Sequence, residues 1–218
     1  MKKFYNILAR LLVVFIGFVI IAIGVSLLLC CKIGTDPVSV FNDGLSVFLH
    51  TKFGMAQIVT NSIMLIIVFF LKKSYINIAT IFSAIVLGPM IDIAVNISSR
   101  FINEALPLWL KIIICIIGTI FISLGVTIYI APSIGIGPTD VMSEIMSELL
   151  NIQYRYVRIT IDCTFVVCGF FLGGIVGIGT IIAAVGTGPL VQLFKPFANK
   201  LTIATVNLID KKPISEDE

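Results

Sequence analysis

Twenty-one consecutive residues, Leu11 to Cys31, contain no charged side chain and a single hydroxyl, Ser26. As a helix rising ~1.5 Å per residue, such a run crosses the ~30 Å hydrocarbon core of a bilayer. Five further segments are as long or nearly so, which places candidate spans near 8–31, 54–71, 76–96, 109–131, 157–173 and 176–194. The third and sixth are each interrupted by Gly-Pro, at Gly88-Pro89 and Gly188-Pro189. Across the chain 58% of residues are hydrophobic and only 12% charged, where a soluble domain carries about 25% charged residues. One water-facing globule cannot hide so much apolar side chain, so the expected fold class is an all-α polytopic membrane protein.

The Lys2-Lys3 start resembles a secretory signal, but the apolar run exceeds a signal's core and no small-x-small cleavage site follows it. Leu29 before Cys30 is also a poor lipoprotein site, so the first segment reads as a retained span. Charge asymmetry then orients the chain. With the N-terminus cytoplasmic, Lys2, Lys3, Arg10, Lys72, Lys73, Arg155, Arg158, Lys195, Lys200, Lys211 and Lys212 fall inside, and Lys32, Lys52, Arg100 and Lys111 outside. Six spans with both termini inside satisfy this rule, as four would. The net charge of +3 does not suggest nucleic acid. The single histidine, His50, and the five cysteines show no metal-ligand spacing, so neither a metal nor another cofactor is expected.

The chain also repeats itself. An offset of 101 residues lays "IGFVIIAIGV" (16–25) on "IGTIFISLGV" (117–126), matching Gly17 with Gly118 and Gly24 with Gly125. In the same register Gly34 meets Gly135, Pro37 meets Pro138, Gln57 meets Arg158 and Asn61 meets Asp162. With one residue dropped, "TIFSAIVLGP" (80–89) meets "TIIAAVGTGP" (180–189). This divides the chain into a first membrane repeat, 1–100, a second, 101–196, and a cytoplasmic tail, 197–218. Three spans per copy is an odd number and turns the second copy upside down, a plan that recurs in transporters with their site where the copies meet. Two spans per copy would instead leave the copies parallel. The glycines seven apart are expected to let helices approach closely.

Polar residues punctuate this pattern at matching places. In "KIGTDPVS" (32–39), Gly34 permits a turn, Pro37 suits a first helical position and Asp36 is placed to cap the new helix. In "SIGIGPTD" (133–140), Gly135 and Gly137 precede Pro138, and with Gly137 in the capping place the helix amides stay available for an anion. Both motifs read either as surface turns or as re-entrant helices dipping toward a cavity, where irregular backbone is tolerated if protein surrounds it. Gln57 and Asn61 are four apart and share a helix face, as do Arg158 and Asp162. Asp162 precedes "CTFVVCGFFLGG" and so lies inside an apolar span, where an ionisable group is a functional candidate. The plainer alternative is an Arg158–Asp162 pair stapling the helix at the cytoplasmic edge. Asp92 and Gln192 follow the two Gly-Pro breaks and line a cavity or sit at the interface. Asp43, Asp140, Glu144 and Glu148 read as faces of amphipathic helices.

Two glycine-bearing helices, each followed by a Gly-x-x-Pro turn, and the stretches "TIFSAIVLGPMID" and "GTIIAAVGTGPLV" resemble the YczE/YyaS/YitT group of bacterial membrane proteins over residues 10 to 194. In that group's pattern Pro is often followed by an aromatic residue and Asp. Here Thr139 separates Pro138 from Asp140, and Ser39 stands in the Asp place of the first copy. The resemblance implies a multi-span protein of the bacterial cytoplasmic membrane and carries over no substrate or catalytic residue.

The expected function is a small-solute transporter or channel-like permease with its pathway between two inverted repeats. Pathway candidates are Gln57, Asn61, Asp92, Arg158, Asp162 and Gln192, with helix breaks at Gly34, Asp36, Pro37, Gly88, Pro89, Gly135, Gly137, Pro138, Gly188 and Pro189. Arg158 and the open helix start suit an anionic or zwitterionic solute, and a homo-oligomer is compatible with the chain. The alternative is a non-catalytic membrane subunit, a substrate-binding component or regulator, of a larger complex. No H-E-x-x-H or G-x-S-x-G motif is present, so an enzyme is not expected.

Overall fold

The computed structural model describes residues 2–102 and 105–210. Among them there is no β-strand. The helices are α1 (Lys2–Cys31), α2 (Pro37–Phe48), α3 (Phe53–Lys72), α4 (Ile78–Ser98), α5 (Leu108–Ile130), α6 (Pro138–Leu150), α7 (Tyr154–Phe171) and α8 (Ile178–Asp210), with a 3₁₀ turn over Lys73–Tyr75. Five stretches are long and apolar enough to cross a bilayer: Ile7–Cys31, Phe53–Tyr75, Ala79–Ser98, Leu108–Ile130 and Ile178–Ile203. The fifth expected span, 157–173, corresponds to α7, an 18-residue helix made less apolar by Arg155, Arg158 and Asp162. Residues 197–210, assigned to a tail from sequence, continue α8, and buried Ala198 packs with Val13 of α1 and Ile128 of α5. The segment 211–218 lies outside the described residues.

The centre of the fold is the crossing of α1 and α5, its most extensive helix contact. Gly17 meets the backbone of Gly125 and Tyr129, and Gly24 meets that of Gly118 and Ile122. One index rises as the other falls, so the two helices run antiparallel. A Cβ on Gly24 would lie 2.7 Å from the Gly118 carbonyl oxygen, closer than real Cβ contacts come. The small residues therefore set the distance between the backbones, as the sevenfold glycine spacing predicts. Phe18 fills the space beside the crossing, with ring centroids 5.9 Å from Phe82 and 5.4 Å from Tyr129. On α5 the buried hydroxyls of Thr119, Ser123 and Thr127 each donate to the carbonyl four residues back, so they need no partner from outside.

Around this pair α4 packs on α1 and α3, and α8 on α5 and α1. The two short helices lie alongside long ones. α2 runs parallel to α7, with Phe41 against Phe165, 5.2 Å between centroids, and Gly44 against Gly169. α6 runs parallel to α3 through Val141 and Ile145 on Val68, and ends where Glu148 meets Lys72 and Tyr75. Lys72 first, then Tyr75, holds the Glu148 carboxyl below the usual carboxylate range. Lys72 and Glu148 are exposed there, so their ion pair adds little to stability.

Two expected breaks are not breaks. Gly88-Pro89 lies inside continuous α4, and Gly188-Pro189 inside continuous α8. Proline forgoes one amide bond and crowds the carbonyl four residues back. Ending the helix there would leave several backbone groups facing lipid without water, which costs more. Gly88 instead serves contact, because a Cβ on it would lie 2.5 Å from the Gly54 carbonyl oxygen. Nothing lies within 4 Å of a Cβ at Gly188. Gly24→Leu should therefore lower the thermal midpoint of the purified protein, by the roughly 1–3 kcal/mol typical of overpacking or more. Gly188→Ala, measured beside it, should leave the midpoint unchanged or slightly raised.

Candidate functional site

The chain leaves the helix between α1 and α2 and again between α5 and α6. Gly34 and Gly135 make these turns with φ of +105° and +136°, values that L side chains rarely adopt. Each turn leans on the first residues of a distant helix. Gly34 packs against Gly177 and Thr180, where the Gly179 amide donates to the Ile33 carbonyl at 2.9 Å. Gly135 packs against Asn77 and Thr80, where the Ala79 amide donates to the Ile134 carbonyl at 3.4 Å. Pro37 and Pro138 then open α2 and α6 at positions where no amide bond is lost.

The capping expected from sequence holds for α2: the Ser39 amide donates to Asp36 Oδ2 at 3.3 Å. Asp36 Oδ1 is buried with no partner. Gly137, the N-cap of α6, supplies no side chain, and its amide donates to the Tyr129 hydroxyl at 3.2 Å. Tyr129 in turn donates to Asp140 Oδ2 at 2.9 Å. The other oxygen of Asp140 takes the Arg158 guanidinium, and Arg158 Nε donates to Asp162 Oδ2 at 3.2 Å. Asp36 lies within electrostatic reach of both Arg158 and Asp162. Three carboxylates thus gather around one guanidinium at the starts of α2 and α6, and Asp162 Oδ1 is, like Asp36 Oδ1, buried without a partner.

Arg158 and Asp162 are therefore joined as a pair, and the pair belongs to a network spanning α5, α6 and α7. Gln57 and Asn61 are buried on one face of α3, 7% and 6% exposed, and Gln57 Oε1 has no partner. The other two pathway candidates have surroundings of their own. Asp92 Oδ1 accepts the Gly54 amide at 2.8 Å, so Asp92 caps α3, whose own N-cap residue Lys52 supplies no side-chain bond. Gln192 is exposed, off the face of α8 that buries Thr180, Ala183 and Ala198. Two participants were missed. Asp140 read as an amphipathic face, although it holds the Asp place of the resemblance, and Tyr129 looked like the end of an apolar span.

The segment after α3, the end of α5, the turn that follows it and α6 border an open hollow of about 440 Å³ lined by Tyr75, Asn77, Ser133, Gly135, Val141 and Glu144 among others. A larger groove, about 760 Å³, runs between α3 and α4 past Ile66, Phe69, Phe70 and Ile81 and is apolar apart from Lys73. Among the described residues no group of three or more His, Cys, Asp or Glu side chains is placed to hold a metal ion.

Comparison with known proteins places the chain in a family. Residues 8–196 match the model of a family of unknown function, DUF6198. The chain belongs to that family. It is 26% identical over 184 residues to the uncharacterized membrane protein YczE of Bacillus subtilis, covering 84% of this chain and 83% of the relative. It is 26% identical over 187 residues to the uncharacterized protein YyaS of the same organism, covering 85% and 92%. An uncharacterized protein of Haemophilus influenzae is 25% identical over 175 residues, covering 80% and 78%. No solved structure matches. With such relatives and its apolar helices, the DUF6198 chain is a multi-pass membrane protein.

The network makes a stability prediction. Arg158→Met leaves Asp140 and Asp162 without their shared cation, so it should destabilise the protein in a thermal melt. Adding Asp162→Asn to Arg158→Met removes one of the stranded charges and should recover part of the loss. The coupling expected for groups in one ionic network is roughly 0.5–3 kcal/mol.

Proposed function

We propose that this chain is a small-solute permease of the bacterial cytoplasmic membrane, built from two inverted repeats whose short helices converge on a central site. In this reading α7 completes six spans, both termini are cytoplasmic, and α2 and α6 reach only part of the way across. The observation that carries it is the reciprocal contact of the two turns. Gly34 rests on Thr180 while Gly135 rests on Thr80, and the amides of Gly179 and Ala79 serve the equivalent carbonyls of Ile33 and Ile134. Positions about one hundred residues apart thus make the same contact with exchanged partners. The antiparallel glycine contacts of α1 and α5 point the same way, because those helices are the first spans of the two copies.

Polar backbone and ionised side chains persist in a membrane interior only where protein or a solute path surrounds them. The cluster of Asp36, Asp140, Arg158 and Asp162 fits such a place. Of the two solute classes suggested by the sequence, a zwitterion suits it better than a simple anion, since Arg158 is already engaged by two carboxylates. An ammonium group could meet the free carboxylate oxygens, while a carboxylate lies toward the start of α6, which has no side-chain cap.

Vesicles containing the purified protein and challenged with radiolabelled zwitterionic and anionic solutes should admit at least one faster than protein-free vesicles. Arg158→Gln and Asp162→Asn should each slow that uptake by about tenfold or more, the effect of ~1.4 kcal/mol on the limiting barrier. Full rates in both variants would remove the cluster from the pathway. The topology has its own check in intact cells. A cysteine replacing Lys72 should react only with membrane-permeant thiol reagents, and one replacing Arg100 also with impermeant ones. The opposite pattern would overturn the orientation.

A further inference from the structure

Cys31 and Cys115 are wholly buried, each at 0% exposure, in the core cluster at one end of the α1–α5 crossing. The crossing itself brings them together. A Cβ on Gly118 of α5 would strike the Leu28 side chain of α1. Because the helices are antiparallel, three residues forward from Leu28 and three back from Gly118 are steps in one direction along facing surfaces. Those steps end at Cys31 and Cys115. Both are free thiols, and they share a hydrogen bond. The adjacent Cys30 points elsewhere, since its Sγ donates to the Val95 carbonyl of α4 at 3.9 Å.

One buried cysteine is packing, because it behaves as a small hydrophobe. Two whose thiols meet across a helix crossing are a different case. Repetition does not account for them, as the positions equivalent to Cys31 and Cys115 at the offset of 101 hold Pro132 and Val14. Neither belongs to the charge cluster or lines either hollow. Cys31 is the last residue of α1 and exposed Lys32 follows it, so the pair lies beside a place where the chain leaves the helix.

We propose that Cys31 and Cys115 form an oxidisable dithiol whose disulfide pins α1 to α5. The oxidant is an external disulfide. One cysteine thiolate attacks it and releases the first external thiol, and the second cysteine then displaces the other. One S–S bond forms in the chain, one breaks in the oxidant, and the two cysteine protons end on the two thiols released. In the orientation proposed above, the Cys31 end of α1 faces outward, the side on which disulfides persist. The contact between the thiols depends neither on that orientation nor on transport.

The test uses the purified full-length chain carrying Cys163→Ser/Cys168→Ser, which removes the two exposed cysteines. Diamide, whose N=N bond takes up the two thiol hydrogens, serves as the oxidant. After denaturation and alkylation with N-ethylmaleimide, the oxidised chain should carry two adducts fewer than the same sample reduced with dithiothreitol. Peptide mapping should join Cys31 to Cys115. Because the link constrains the unfolded chain, the thermal midpoint of the oxidised protein should lie roughly 4 °C or more above that of the reduced one. Adding Cys30→Ser should leave the link and the rise in place. Adding Cys31→Ala or Cys115→Ala should abolish both, and mapping of the parent chain decides the matter if either variant does not fold. An unchanged adduct count after diamide, a bond to Cys30 in place of Cys31, or full oxidation without a rise in midpoint would overturn the proposal. A link that forms in a protein admitting no solute to vesicles removes the permease and leaves the dithiol.

Discussion

Inside a bilayer a backbone that leaves the helix has no water to bond with, and each stranded amide or carbonyl costs several kcal/mol. This chain leaves the helix at Lys32–Asp36 and Ala131–Gly137, and much of the remaining structure is arranged around those two places. Ile33 and Ile134 hand their carbonyls to the first turns of α8 and α4, where amides are free because no residue precedes them in the helix. The glycines at 34 and 135 are required twice over, for their positive φ and because a Cβ would strike those same helix starts. The antiparallel crossing of α1 and α5 brings each turn to its distant partner. Close backbone contact there is a condition for the turns, since a wider crossing would carry Ile33 and Ile134 out of reach.

The charge cluster follows from the same geometry. Because the turns are satisfied by backbone, α2 and α6 begin close to α7, and their first residues present Asp36 and Asp140 to Arg158. A guanidinium suits this position better than an ammonium would. Its planar fork serves Asp140 through one terminal nitrogen and Asp162 through Nε at the same time. Tyr129 then ties Asp140 to the Gly137 amide, so a single chain of hydrogen bonds links α5, the start of α6 and α7. The Tyr154 hydroxyl reaches the same guanidinium.

Much of this was legible in the sequence because it depends on local rules. Apolar length gives the spans, glycines seven apart give the crossing, and Asp36-Pro37 gives a capped helix start. Arg158 and Asp162 meet because residues four apart share a face. The rest depends on partners distant in the chain. Asp92 looks like a polar residue after a break, yet α4 does not break, and its carboxylate reaches the Gly54 amide because Gly54 and Gly88 pack together. Gly-Pro is a strong stop signal in water, where a broken helix can be solvated, and a weak one where it cannot. Asp140 occupies a third helical position that suits a solvent-facing acid equally well. Only the arrival of α7 beside α6 gives it an arginine.

The two sets of equivalent positions are not used alike. Asp43 of α2 accepts the Ile175 amide at 3.2 Å, drawing the segment after α7 against α2. That segment carries Gly173, Gly174 and Gly177, and a Cβ at Gly174 would come within 2.4 Å of the Val40 carbonyl oxygen. Glycine thus lets the two backbones come into contact there. One hundred and one residues later stands Glu144, one methylene longer, beside a segment after α3 that is a 3₁₀ turn, Lys73–Tyr75, without glycine. There Ser74, Tyr75 and Asn77 line, with Glu144, the open hollow beside α6.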